Sequence, residues 1–134
     1  MSTMPEETPR DPAAAQQRAA QESAVQQSAA QHVVAQTTVD SASRADELAR
    51  RVVAAGLAAC VQTSEVRSVF AWDGAVQQEP EQLLAMKTTA AAVDGLRTLL
   101  EAEHPYDEPE LVVLPIIDGS PSYLAWVAES VAAG

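Results

Sequence analysis

The dipeptide Asp73-Gly74 lies between two long alternating stretches, CVQTSEVRSVFAW (60–72) and AVQQEPEQLLAMKT (75–88). A two-residue hairpin turn needs positive φ at its centre, which Asp-Gly supplies at little steric cost, so the pattern predicts an antiparallel hairpin. Each arm runs about twelve residues, or roughly 40 Å. A helix of about sixteen residues, the length available elsewhere in the chain, spans only about 24 Å. The arms therefore overreach a domain of this size, and the hairpin is expected to pair with a neighbouring subunit. Pro80, inside EPE, is expected to bulge the second arm and bend it around that partner.

The flanking segments alternate strand and helix signals. HVVAQTTV (32–39) is a short β-prone run, and Asp40 is placed to cap a helix with apolar positions Ala45, Leu48, Ala49, Val52, Val53 and Gly56. Thr88 or Thr89 is placed to cap a second helix bearing Val93, Leu96, Leu99 and Leu100, which must end near His104 because Pro105 restricts the residue before it. LVVLPII (111–117) reads as a fourth strand whose Pro115 points to an edge or a bulge. Ser120-Pro121 then opens a short terminal helix with Leu124, Val127 and Val131 on one side. The order β-α-β-β-α-β plus a terminal helix predicts an α+β, ferredoxin-like sandwich over residues 31–134: a four-stranded antiparallel sheet with both long helices on one face. Apolar residues on the other face would need another chain to cover them.

Residues 1–30 contain no Leu, Ile or aromatic residue, and Val25 is their one branched aliphatic. Without an apolar face they are expected to be a disordered Ala/Gln-rich tail, and they lack the apolar segment of a secretory signal. The whole chain of 134 residues carries a net charge of −11. Its eight cations form no basic stripe, so nucleic acid and anionic membranes are not expected as partners. The single cysteine, Cys60, cannot form an internal disulfide, and no run of about 18 apolar residues occurs. These features suit a soluble protein of a reducing compartment such as the cytoplasm.

The densest cluster of chemistry-bearing residues is HPYDEPE (104–110). His104 has three readings: a helix-end residue complementing the dipole and capping free carbonyls, a metal contact, or a small-molecule contact. Pro105 and Pro109 stiffen the turn into strand four. Tyr106 is expected to pack with its hydroxyl near a polar partner. Cys60 reads first as a buried small apolar residue, Trp72 and Trp126 as core or subunit interface. Lys87, the single lysine, suits an ion pair with a carboxylate of the 104–110 loop, an anion contact or plain exposure. A thiolate-imidazole pair of Cys60 and His104 is conceivable, but no nucleophile-base-acid set, phosphate loop or metalloprotease motif is present, so no enzyme is expected.

LAACVQ (57–62), FAWDG (70–74), MKT (86–88), HPYDEPE (104–110) and YLAWV (123–127) stand in an order and spacing that resembles the CutA family of divalent-cation-tolerance proteins. The resemblance covers about 33–131. It implies a ferredoxin-like fold in a tight homotrimer, hairpins joining adjacent sheets, and a link to copper and other divalent cations. It also implies an architectural likeness to trimeric PII signalling proteins, with clefts between subunits. Copper ligands of the family fall at positions held here by Gln36, Glu103 and His104, of which only His104 is a good copper ligand. No obligatory cofactor is implied, but a weakly bound Cu2+ is. A small molecule in the inter-subunit cleft would meet Lys87, Tyr106, Cys60 and Trp72. The chain departs from the family pattern at Gln62, where Asn is usual, and at Ala71, where an aromatic usually precedes the Trp. Two functions follow as expectations: divalent-metal response through weak binding, or a PII-like sensor of a small anionic metabolite.

Overall fold

The computed structural model describes residues 12–18 and 31–131. Residues 12–18 are helical; the rest of the tail expected over 1–30 lies outside the described residues. Within the second unit, Gln31–Gly134, the elements are β1 (His32–Val39), α1 (Ala42–Ala54), β2 (Cys60–Trp72), β3 (Ala75–Thr89), a 3-10 turn (Ala90–Ala92), α2 (Val93–Glu103), β4 (Val112–Pro115) and α3 (Pro121–Ser130). The strands form one antiparallel sheet in the order β2-β3-β1-β4. This is the ferredoxin-like arrangement.

The hairpin closes as expected. Asp73 (φ 54°) and Gly74 (φ 75°) are both left-handed, which makes the turn type I′. Pairing runs unbroken from Trp72↔Ala75 to Cys60↔Lys87, so the bulge expected at Pro80 does not exist: Pro80 stands opposite Arg67 with no residue inserted. The reason lies in the parity of the ladder. The pair closing a two-residue turn is hydrogen-bonded and pairs then alternate, so Arg67↔Pro80 is a non-hydrogen-bonded pair. The nitrogen of Pro80 faces away from β2, and the missing N–H costs the ladder nothing. Strand β1 accompanies β3 only from Thr89 to Gln82. Beyond that point residues 66–72 and 75–81 project as a two-stranded ribbon.

Alternation along the strands sorts the two faces. Ala35 and Val39 of β1 and Leu84 and Met86 of β3 pack with Ala45, Leu48 and Val52 of α1 and Leu96 and Leu100 of α2 into the core. Burying each of the larger side chains contributes about 1.5–3 kcal/mol. Helix α3 covers part of the opposite face: the Tyr123 ring stands 5.7 Å from Lys87 Nζ, and Val127 and Val131 are buried.

Several local signals are displaced by a residue or a turn. Helix α1 is capped by Ser41, whose Oγ accepts from Arg44 N (3.2 Å), while Asp40 pairs with the Arg44 side chain at 3.3 Å. Gly56 does not continue the apolar stripe of α1. With φ 73° it ends the helix in a Schellman motif, Gly56 N–H donating to Val53 O and Leu57 N–H to Val52 O. Leu57 then sits against Gly95 of α2, where an added Cβ would lie 2.9 Å from Leu57 Cδ2. Thr88 and Thr89 do not cap α2, because the 3-10 turn intervenes. The buried Thr88 hydroxyl donates to Leu57 O (2.7 Å), and the Thr89 hydroxyl is buried with no partner. Strand β4 is shorter than 111–117, but it is the sheet edge that Pro115 signalled.

Candidate cation-binding groove

The loop 104–110 begins where Pro105 ends α2. His104 is extended (φ −72°, ψ 140°), and its backbone N–H makes the last helical bond, to Leu100 O at 2.8 Å. Its ring caps no helix carbonyl and reaches back to β1 instead. Nδ1 accepts from Tyr106 N (3.0 Å), and Nε2 lies 2.9 Å from Thr38 O and 3.1 Å from Thr37 Oγ1. A backbone N–H can only donate, so Nδ1 of the neutral ring is bare and the proton sits on Nε2, donated toward Thr38 O. Burial lowers the His104 pKa from its ordinary value, against smaller upward pulls from the Thr38 carbonyl, Asp40 and Glu81.

Tyr106 continues the link. Its ring meets that of His104 edge-on (centroids 4.9 Å apart), and its hydroxyl donates to Glu81 Oε2 at 2.8 Å. Burial, then the hydrogen bond to Glu81, pushes the phenol well above its usual range. Through His104 and Tyr106 the loop is tied both to the end of β1 and to the root of the ribbon.

Between loop and ribbon lies a groove of about 840 Å³. Six carboxylates line it, those of Asp40, Glu79, Glu81, Asp107, Glu108 and Glu110, with no Lys or Arg among the lining residues. Phe70, Trp72 and Tyr106 supply aromatic walls. Such a lining attracts cations and repels anions. In the sequence Asp40 reads only as a helix cap, and Glu79 and Glu81 have no assigned role. The signal for the two glutamates was the hairpin register, which sets Glu79 opposite Ser68 and Glu81 opposite Val66 on the face that carries Phe70 and Trp72.

The site residues expected from sequence are separated in this chain. Gln36 projects from the face of β1 opposite to Thr37, which contacts His104. The Glu103 carboxylate is engaged by Arg51. Both ring nitrogens of His104 are occupied, and among the described residues no three His, Cys, Asp or Glu side chains converge as a metal cage. Gln36, Glu103 and His104 therefore do not fit a copper ion within this chain. The proposed cleft residues also divide. Trp72 and Tyr106 line the groove, whereas Cys60 and Lys87 are cross-strand partners elsewhere on the sheet. Among the described residues Lys87 forms no ion pair with the 104–110 loop; its Nζ donates to Gln62 Oε1 (2.7 Å), which gives the Gln at that position a role. Cys60 is half-buried, not a core residue, and lies on the face away from His104, so no thiolate-imidazole pair forms. Trp72 and Trp126 are exposed, not core.

The model of the CutA1 divalent ion tolerance protein family matches residues 33–130. The chain belongs to the CutA1 family. A divalent-cation tolerance protein CutA of Thermus thermophilus is 40% identical over 94 residues, covering 69% of this chain and 91% of that protein. Protein CutA, chloroplastic, of Arabidopsis thaliana is 39% identical over 94 residues, again 69% of this chain but only 52% of its own length. The chain thus spans about half the length of that plant relative. The solved structure of CutA from Synechococcus elongatus superposes with a TM-score of 0.75 at 39% identity, covering 77% of this chain and 92% of that one. A second structure of that CutA is of its complex with a Bis-Tris molecule. The fold described above is thus that of the CutA1 family.

Proposed function

We propose that this protein serves in divalent-cation tolerance as a cytoplasmic homotrimer that binds such cations weakly and reversibly in the acidic groove. The observation that carries the reading is the groove lining, six carboxylates with no Lys or Arg. With no cage converging among the described residues, a divalent ion would keep most of its water and be held by the summed field, which suits rapid exchange. The trimer is supported by the projecting ribbon, which exposes Val69, Phe70 and Trp72 and leaves both strand edges unpaired among the described residues. The name of the T. thermophilus relative supports the divalent-cation role, and the lone thiol of Cys60 suits a reducing compartment. The rival reading, a small anionic metabolite recognised by Lys87, is disfavoured because Lys87 is already engaged by Gln62 and the groove repels anions.

Paramagnetic Mn2+ titrated into the labelled protein should broaden the resonances of residues 79–81 and 106–110 first, and Glu79→Gln with Glu81→Gln should weaken the effect. Uniform broadening over the surface would sink the groove as the site. Cu2+ in the same titration should reach the groove in His104→Ala as in the wild type, and light scattering should give the mass of three chains.

A further inference from the structure

Three Asp-Gly dipeptides occur in the chain, at 73–74, 94–95 and 118–119, and the fold holds them in different ways. Asp73 and Gly74 are locked at positive φ in the type I′ turn. Asp94 lies in the first turn of α2, where Arg97 Nη1 donates to its carboxylate at 2.7 Å. Asp118 lies in neither a helix nor a strand. Its Oδ1 accepts from the backbone N–H of the very next residue, Gly119, at 2.8 Å, and among the described residues it makes no ion pair. The Gly119 nitrogen is thereby held beside Asp118 Cγ, the carbon that carries this oxygen. Both flanks are anchored: Ile116 N–H donates to His32 O (2.9 Å), and Leu124 N–H donates to Ser120 O (3.0 Å) at the start of α3.

We propose that Asp118 is a site of spontaneous backbone modification, closing to a succinimide with Gly119 and opening in part to isoaspartate. Gly119 has no Cβ to hinder the attack, and a nucleophile already held beside its carbon is near the reacting geometry. The Gly119 nitrogen bonds to Cγ of the neutral carboxyl, whose hydroxyl leaves as water with the N–H proton. Water then adds back to one of the two ring carbonyls. Addition at Cγ restores Asp118. Addition at the main-chain carbonyl carbon leaves the chain running through the side chain, one methylene longer, with no net gain or loss of atoms. That methylene falls between the Ile116 anchor and Ser120, the N-cap of α3, so it loosens α3 from the sheet face it covers. The inference is independent of the groove, which neither Asp118 nor Gly119 lines.

Incubating the whole folded protein in heavy-oxygen water at mildly acidic pH tests this, because each ring opening leaves one heavy oxygen at the reacted residue. Peptide mass spectrometry then reads the three Asp-Gly sites side by side, so Asp73 and Asp94 serve as internal controls. The label at Asp118 should exceed that at either control by about tenfold. Asp118→Glu, which would need a six-membered ring, should carry almost no label at that position. In urea that unfolds the chain the three sites should label alike. Native labelling of Asp118 no greater than that of Asp73 and Asp94 would overturn the inference. The same excess persisting in urea would do so too, since local sequence and not the fold would then select the site. The isoaspartate fraction, separated by chromatography, should exchange its α3 amides faster than the unmodified protein, and equal exchange would overturn the coupling to α3.

Discussion

The two ends of the β2-β3 hairpin follow one pairing register but have different surroundings. At the sheet end, Leu84 and Met86 are fully buried beneath α1 and α2; on the ribbon, Val76 and Trp72 keep 79% and 62% of their exposure. One end is held by tertiary packing. The other is held by a type I′ turn, the ladder and, at its root, the Tyr106 hydroxyl on Glu81, and an isolated two-stranded ribbon is marginal in water. Of the thirteen pairs in register, the seven from Val66↔Glu81 to Trp72↔Ala75 run beyond the sheet that packs in the core, and this ribbon forms one wall of the acidic groove.

The widest gap should appear on truncating side chains. Leu84→Ala removes a fully buried side chain and should cost about 2–5 kcal/mol in denaturant unfolding. Val76→Ala, near the ribbon tip, should cost less than about 0.5 kcal/mol. A Val76→Ala penalty approaching that of Leu84→Ala would mean that the ribbon is packed against another chain all the way to its tip.

Two glycines test the same contrast in the backbone. Gly74 has φ 75°, and a Cβ added there would meet nothing within 4 Å, so Gly74→Ala should cost about 1 kcal/mol through conformation alone. Gly95→Ala in α2 gains about 1 kcal/mol of helix propensity. Its Cβ meets only the movable end of Leu57, so the net change in melting temperature should be small. A large loss at Gly95 would show that the α1-α2 contact is rigid at Leu57.

Much of the fold was legible because its signals are local. Asp-Gly demands one kind of turn, and Pro105 ends α2 wherever the helix is read to begin. The misreadings have equally local causes. Gly56 continues the three- and four-residue spacing of α1, so periodicity extends the helix through the residue whose positive φ ends it. Three alanines between Thr89 and Val93 carry no boundary signal, which hid the 3-10 turn. The unbulged Pro80 could have been derived by counting pairs outward from Asp73-Gly74. The groove was harder to see, because its acids come from β1's end, the ribbon and the loop, and each alone reads as an ordinary surface charge. The residues expected at a metal site are separated for the complementary reason: Gln36 lies on the face of β1 opposite Thr37, which meets His104, while Glu103 and His104 at the end of α2 already have partners within the chain.

The tie between loop and ribbon is a single hydroxyl. Tyr106→Phe deletes the bond to Glu81 while keeping the ring, and should cost about 0.5–1.5 kcal/mol. Larger amide-exchange changes are expected in the ribbon than in the sheet body. Equal changes in both would show that the ribbon is not separately anchored by the loop.

The smallest effect should be a pH dependence at His104, and its sign follows from the burial of the ring. Burial lowers the pKa of this imidazole in the folded state, so the unfolded chain binds the proton more readily. Stability should be fully present above the ordinary histidine value of 6.5. It should fall as pH drops below that value, and the loss should be complete once the pH is under the lowered folded value. Protonation also gives Nδ1 a hydrogen that opposes the Tyr106 N–H, so the loop should loosen as the ring titrates. His104→Gln keeps a polar side chain at the end of α2 but cannot take up this proton. Thermal melts of the two proteins between pH 7.5 and pH 5 should therefore converge as the wild type loses its advantage. Parallel pH profiles would mean that acid sensitivity comes from the carboxylates of the groove, and that the His104 ring bonds do not hold the loop.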